Sequence, residues 1–288
     1  MRWTPGGRST NLEDRRGQSA GRFPGGLRMG GGLGLGTILL LAVLSLVFKT
    51  DFLSLLTTGE VPSGGSSSAP ARPVDDPAEE PLVEFVSFVL NDAQAIWARL
   101  LSQSGTPYEE TRLVLFRDAI DSACGFAQSA TGPFYCPGDR KVYIDLGFFA
   151  DLKERFGAPG DFAQAYVLTH EIGHHVQTLL GTEAAVRRAQ RGGGEGSALS
   201  VATELQADCY AGIWAHWTAN EAHLEEGDIE EGLGAAAAVG DDRIQRQGGG
   251  RVNPDAFTHG SSRERAAWFR RGYDSGKIDA CDTFASGR

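Results

Sequence analysis

The sequence predicts an α+β fold, mainly helical with a small β-sheet and preceded by one transmembrane helix. Three observations carry that prediction. Apolar residues recur at three-and-four spacing through long stretches after residue 81. Two short runs, Leu113–Phe116 and Lys141–Leu146, are β-like. No charged residue falls between Met29 and Phe48. The chain has 288 residues, 41% of them hydrophobic and 22% charged, which is the composition of a folded protein.

The N-terminal 28 residues hold six arginines (Arg2, Arg8, Arg15, Arg16, Arg22 and Arg28) against Glu13 and Asp14. They read as a basic tail. The formal net charge is -10, so the acidic excess lies on the rest of the chain. An acidic body excludes nucleic acid as the main partner, because phosphate binding needs a basic surface. Residues 29–56 read as a membrane anchor and its flank. Twenty uncharged residues, 29–48, span about 30 Å as a helix, roughly the hydrocarbon thickness of a bilayer. A secretory signal peptide competes, since the apolar core Leu33–Phe48 is short. However, Lys49, Thr50, Asp51 and Phe52 follow it, with no small-x-small cleavage site. The lipid bilayer is therefore an expected partner through residues 29–48. By the positive-inside bias, the arginine-rich tail stays cytoplasmic and the remaining chain lies outside the cytoplasmic membrane.

Residues 57–80 contain four prolines and a Gly-Ser run and read as a flexible linker. The folded domain is then 81–288, long enough for a sizeable core. Its first element is a helix over Leu82–Leu101, with Val83, Val86, Val89, Leu90, Ala93, Ile96, Trp97 and Leu100 on one face. The strand Lys141–Leu146 alternates Val142 and Ile144 with polar neighbours, and is expected at the sheet edge beside the next helix. That helix runs from a cap at Asp161 through Leu180 and closes at Gly181. Leu199–Ala219 forms a second long helix of little polar character. Ile229–Gln245 forms a third, and Ser261 or Ser262 caps a fourth through Gly272. Gly192–Gly194 and Gly248–Gly250 mark loops.

The four cysteines are Cys124, Cys136, Cys209 and Cys281. Three pairings are possible, and four unpaired buried thiols are the alternative. Cys124 and Cys136 bracket a short Gly/Ser/Pro-rich loop, which favours that pair and leaves Cys209 with Cys281. No C-x-x-C is present, so a thiolate zinc site is not expected.

The chemistry concentrates in YVLTHEIGHHVQ. On a helix, His170 and His174 project from one face and can direct two imidazoles at a single metal. Glu171 sits one step round, where a carboxylate can reach a water on that metal and act as general base. Gly173 allows another helix to approach closely. A catalytic zinc needs a third protein ligand and an open fourth position. Gln177 and Leu180 stand where a metzincin continuation needs Gly and His, so the third ligand comes from elsewhere. Glu204, in ATELQADCYAG, is the candidate. A carboxylate on an apolar helix is costly unless a cation compensates it. One turn on, Asp208 can accept the free N–H of a metal-bound imidazole.

A third piece is THGSSRERAAWF. His259 precedes a capped helix and can hydrogen-bond a tetrahedral oxyanion. Arg265, inside that helix, can orient a carboxylate or backbone carbonyl with its forked donors. His175 points away from the metal face and reads as a packing or hydrogen-bonding residue. His216 and His223 read as surface residues.

HEIGHH, ELQADCYAG, THGSS with Arg265 and Trp268-Phe269, and the N-terminal MRWTPGGRSTNLEDRRG together resemble the bacterial neutral zinc metallopeptidases, which are single-pass membrane proteins. The resemblance covers nearly the whole chain apart from the linker. It implies a zincin-like core of gluzincin type, with one zinc per chain held by His170, His174 and Glu204, Glu171 as base, and Asp208 supporting a ligand. The His259 and Arg265 pair resembles that of the membrane prenyl-protein metalloproteases, where both lie near the substrate. The expected activity is hydrolysis of polypeptides, in a single-pass protein of the bacterial inner membrane with a periplasmic catalytic domain. The competing readings are a membrane-tethered interaction module with a structural zinc, and a latent enzyme that processes its own linker. Neither substrate preference nor oligomeric state is encoded in any motif.

Overall fold

Residues 1–18, 76–129, 132–193, 196–249 and 251–285 are described in this computed structural model. The predicted α+β class, mainly helical with a small sheet, is found. In chain order the elements are β1 (Leu12–Asp14), α1 (Glu80–Gln103), β2 (Arg112–Phe116), β3 (Ala119–Ser122), β4 (Gly125–Gln128), β5 (Phe134–Cys136) and β6 (Lys141–Asp145). Helices α2 (Gly147–Glu154), α3 (Asp161–Leu179), α4 (Thr182–Arg191), α5 (Gly196–Asn220), α6 (Asp228–Ala238), α7 (Asp241–Gln247) and α8 (Ser262–Ser275) follow. Short 3-10 turns lie at Pro254–Ala256 and Ile278–Cys281.

The main sheet has the order β1-β2-β6-β5. Strands β1, β2 and β6 are parallel, and β5 is antiparallel to β6. Period-two alternation sends Leu113, Leu115, Val142 and Ile144 into the main core with α1, α3 and α5. Val114, Phe116 and Tyr143 point the other way, into a small cluster with Ile120 and Cys136. The sheet is thus covered on both faces. Lys141–Asp145 is therefore an interior strand, and the expectation of an edge there is corrected. The edge nearest α3 is β5.

Two helix boundaries also differ from the periodicity. Asp161 is the first helical residue, and Gly160 at φ 114° forms the cap. The stretch expected as one helix from Ile229 breaks at Val239–Gly240 into α6 and α7. A Cβ at Gly240 would sit 2.3 Å from the Ser262 nitrogen, so the break lets the start of α8 approach. Of the two candidate caps for α8, Ser261 takes the role in a full capping box with Glu264.

The N-terminal residues overturn the expectation of a basic cytoplasmic tail. Met1–Gly17 belong to the same compact unit as 74–288. β1 pairs with β2. Trp3 packs on Phe85 and Phe88. The Met1 ammonium lies 2.9 Å from both Asp161 carboxylate oxygens and 3.3 Å from Asp228 Oδ1. The Arg16 guanidinium is buried between Asp14 and Glu79. Arginines that looked free in the sequence are thus paired with carboxylates of the folded unit. A chain crossing a membrane once between 29 and 48 would place 1–17 and 76–288 on opposite sides. Moreover, no helix among the described residues is long and apolar enough to cross a membrane. The expected single-pass inner-membrane placement, with its cytoplasmic tail and periplasmic domain, is corrected accordingly. The anchor itself, 29–56, and most of the linker lie outside the described residues.

Both disulfides join the favoured pairs, Cys124–Cys136 and Cys209–Cys281. The first ties the β3–β4 turn to the end of β5. The second ties α5 to the C-terminal segment.

Helices α5 and α8 touch backbone to backbone. A Cβ on Gly212 would lie 2.0 Å from the Phe269 carbonyl oxygen, and one on Gly272 would lie 1.9 Å from that of Cys209. Gly212→Ala is therefore expected to destabilise the fold by about 2 kcal/mol or more, despite alanine's better helix propensity. Gly234→Ala, on the open face of α6 with nothing within 4 Å, is expected to stabilise it by up to about 1 kcal/mol. Denaturant melts of the two variants check this contrast. Equal midpoints would refute the close helix contact.

Candidate metal centre

Three elements bring the site together. α3 presents Tyr166, His170, Glu171 and His174 on successive turns. α5 presents Glu204 and Asp208 one turn apart, and α8 supplies Arg265. Gly173 permits the α3–α5 contact, since a Cβ there would meet the Ala207 carbonyl oxygen at 3.0 Å.

His170, His174 and Glu204 offer ligand atoms that all lie within 4.8 Å of one another. His170 Nε2 is 3.2 Å from Glu204 Oε2, and His174 Nε2 is 3.5 Å from Glu204 Oε1. A tetrahedral zinc with ligand distances of about 2.0–2.2 Å places neighbouring donors about 3.3–3.6 Å apart. The donor set and its spacing therefore fit zinc.

The charges around the donors favour a cation. Asp208 is fully buried. Its Oδ1 accepts from His170 Nδ1 at 2.9 Å and from Tyr166, while the Arg265 guanidinium grips both carboxylate oxygens at 2.8 and 3.0 Å. A carboxylate only accepts, so His170 carries its proton on Nδ1 and turns Nε2 toward Glu204. Burial opposes charge on His170, but Asp208 and Glu204 outweigh it and raise the imidazole pKa to about 10. Burial likewise acts to raise the Glu204 carboxyl, but His174, His170 and Arg265 pull it far below the carboxylate range. A positive charge between these side chains is strongly stabilised, and a divalent cation supplies one.

Glu171 is buried except for one edge, 8% exposed, and lines the same cleft as the three donors. That cleft holds about 850 Å³. Phe134 and Tyr135 of edge strand β5 form one border, and Phe148, Phe156 and Ile244 add apolar wall. His175 fastens β5 in place. Its Nε2 donates to the Glu109 carbonyl at 2.6 Å, and its Nδ1 accepts from the Tyr135 hydroxyl at 3.1 Å. Burial lowers its pKa, in keeping with a neutral structural imidazole.

The third motif divides. His259 is half exposed and lines the cleft. Its Nδ1 lies 3.1 Å from Asp241 Oδ1, while Asp241 Oδ2 accepts the backbone N–H groups of Thr258, His259 and Gly260. Arg265 holds a carboxylate and a backbone carbonyl, as its forked donors suggest, and both belong to this chain. It is 4% exposed, and its forked donors are occupied by Asp208, Tyr166 and the Val239 carbonyl. The carboxylate it orients is that of Asp208. His216 and His223 are half-buried, and each bonds a backbone carbonyl, of Tyr273 and Arg2 respectively.

Sequence reasoning missed Tyr166, Gln177, Gln206 and Asp241. Tyr166 and Gln177 were findable, being one turn before His170 and one turn after His174 on the same helix. Gln206 and Asp241 meet the site only through tertiary contacts.

Comparison with known proteins adds the family. Residues 1–284 match the family described as "Putative neutral zinc metallopeptidase". The chain is 46% identical to the uncharacterized protein YpfJ of Escherichia coli K12 over 288 residues, covering 99% of each chain. It is 44% identical to the uncharacterized protein Rv2575 of Mycobacterium tuberculosis H37Rv over 207 residues, covering 68% of each. No solved structure matches the chain.

Proposed function

This chain belongs to the putative neutral zinc metallopeptidase family, and from that premise we propose that it is a zinc-dependent endopeptidase acting on polypeptides. One zinc per chain would be held by His170, His174 and Glu204. The observation that best supports this reading is the placement of Glu171, an almost buried carboxylate on the wall of the cleft that also holds three donors within 4.8 Å of one another. A structural zinc site has no use for such a group.

Bound zinc supplies Lewis acidity and lowers the pKa of a coordinated water to about 7. Glu171 takes the proton of the attacking water and passes it to the leaving amine. His259, whose Nδ1 faces Asp241 and the Thr258 hydroxyl, donates an Nε2 proton to the developing oxyanion. The free edge of β5 hydrogen-bonds an extended substrate backbone. An edge of this kind holds the middle of a chain as readily as its end, which favours endopeptidase action. Arg265 and Tyr166 act through Asp208 to keep His170 in its ligating tautomer.

Elemental analysis and a peptide-library digest of the purified protein test this reading. One zinc per chain is expected, with cleavage lost on chelation and regained when zinc is restored. Zinc without cleavage across many peptides and pH values would instead identify a non-catalytic module with a structural zinc. Absence of zinc binding would refute both.

A further inference from the structure

His174 has a polar neighbour that the peptidase reading does not use. Its Nδ1 lies 2.8 Å from Gln177 Oε1. Gln177 Nε2 donates to the Thr203 carbonyl at 2.7 Å and to Gln206 Oε1 at 3.1 Å. Gln206 Nε2 in turn donates to the Cys281 carbonyl at 3.0 Å. Both amides are buried, at 1% and 6% exposure, and Cys281 is held against α5 by its bond to Cys209.

The direction of this chain follows from its fixed ends. Backbone carbonyls only accept, so the Gln206 amide must turn its NH2 to Cys281 and its oxygen to Gln177. Gln177 meets two acceptors, the Thr203 carbonyl and Gln206 Oε1, and both of its N–H bonds are used there. Its own oxygen is left facing His174 Nδ1, which must then be the donor. His174 thereby carries a proton on Nδ1, which leaves Nε2, on the Glu204 side, for a metal. Reversing either amide would oppose NH2 to N–H or oxygen to oxygen in a buried space, at a cost of about 1–3 kcal/mol per unsatisfied group.

We propose that Gln177 and Gln206 form an amide relay, anchored on the disulfide-held Cys281 carbonyl, that locks His174 in its metal-ligating tautomer. Gln177 is a positioning residue. Asp208 serves His170 by charge, whereas the relay serves His174 by neutral amides alone. This inference rests on the zinc reading of the site, but the tautomer it predicts is a property of the protein without metal.

The test has two arms on the full chain. Long-range 15N–1H correlation spectra of 15N-histidine-labelled, chelator-treated protein read the tautomer. His174 is expected to be protonated on Nδ1 in the wild type and mixed in Gln177→Met. Competition titration with zinc alone reads affinity. Gln177→Met is expected to weaken zinc about 10–100-fold. Gln206→Met is expected to weaken it several-fold, with no added effect once Gln177 is already Met. A melting curve of each chelated variant separates these effects from loss of fold, and Gln177→Glu provides a second variant. Its carboxylate still accepts from His174, so it should retain the Nδ1 tautomer even where it melts lower. Wild-type tautomer and wild-type zinc affinity in Gln177→Met would overturn the relay, as would fully additive effects of the two substitutions. If the tautomer changes as expected while the wild type binds no zinc, the relay stands and the zinc reading fails.

Discussion

Glu171→Gln is expected to keep its zinc and lose its chemistry. Glutamine matches the size of Glu171 and stays outside the ligand set, so His170, His174 and Glu204 retain their mutual distances of 3.2 and 3.5 Å. What disappears is a group able to take a proton and return it. Removing a positioned general base lowers rate by about 10²–10⁴-fold. Zinc content by elemental analysis should match the wild type, while kcat on an internally quenched peptide falls by that factor. The fall should appear in kcat rather than KM, because a general base acts in the chemical step and not in holding the peptide backbone. A variant that cleaves within a few-fold of the wild type would show that the base lies elsewhere on the cleft wall.

Asp208→Ala should have the largest structural effect of any single change at the site. The wild-type carboxylate is fully buried and accepts from His170, Tyr166 and both arms of the Arg265 fork. Removing it strands a buried guanidinium, which costs about 3–5 kcal/mol. It also leaves His170 Nδ1 without its acceptor, which weakens zinc about 10–100-fold. For a domain of this size, the expected drop in melting temperature of the chelated protein is about 10 °C. The double variant Asp208→Leu/Arg265→Met separates the two effects. With both charges gone, much of the stability should return, because the penalty came from the unpaired partner. Zinc affinity should not return, because His170 still lacks an acceptor. Recovery of both would mean that Asp208 matters for packing alone.

Much of the site was legible because it is written in local spacing. The four-residue interval of His170 and His174, and the same interval between Glu204 and Asp208, each fix a common helical face before any tertiary structure is known. Carboxylates set among Leu205, Ala207, Tyr210 and Ile213 signal a compensating charge for the same local reason. Arg265 was found but its orientation was not. Its spacing from His259 says that both are near the site, yet only the crossing of α8 over α5 turns the guanidinium inward onto Asp208.

The N-terminal segment is the clearest failure of local reasoning. LED has no alternation of apolar residues and would not be read as a strand. It becomes one because β2 offers it an edge, and because Glu13 meets Lys141 and Arg112 there. Its arginines looked like a free basic tail, since their partners Glu79 and Glu80 lie more than sixty residues away. The membrane topology inferred from that tail fell with it.

Taken alone, the amino-acid order determined the main helices, their apolar faces, the local cysteine pair and the residues able to grip a metal. All of these depend on contacts within one or two turns or on side-chain chemistry alone. Tertiary structure decided which strand forms the edge of the cleft, where the first seventeen residues go, which way Arg265 faces and which amide meets His174 Nδ1. Each of those depends on backbone or charge brought from far along the chain, and no local pattern records which distant partner will arrive.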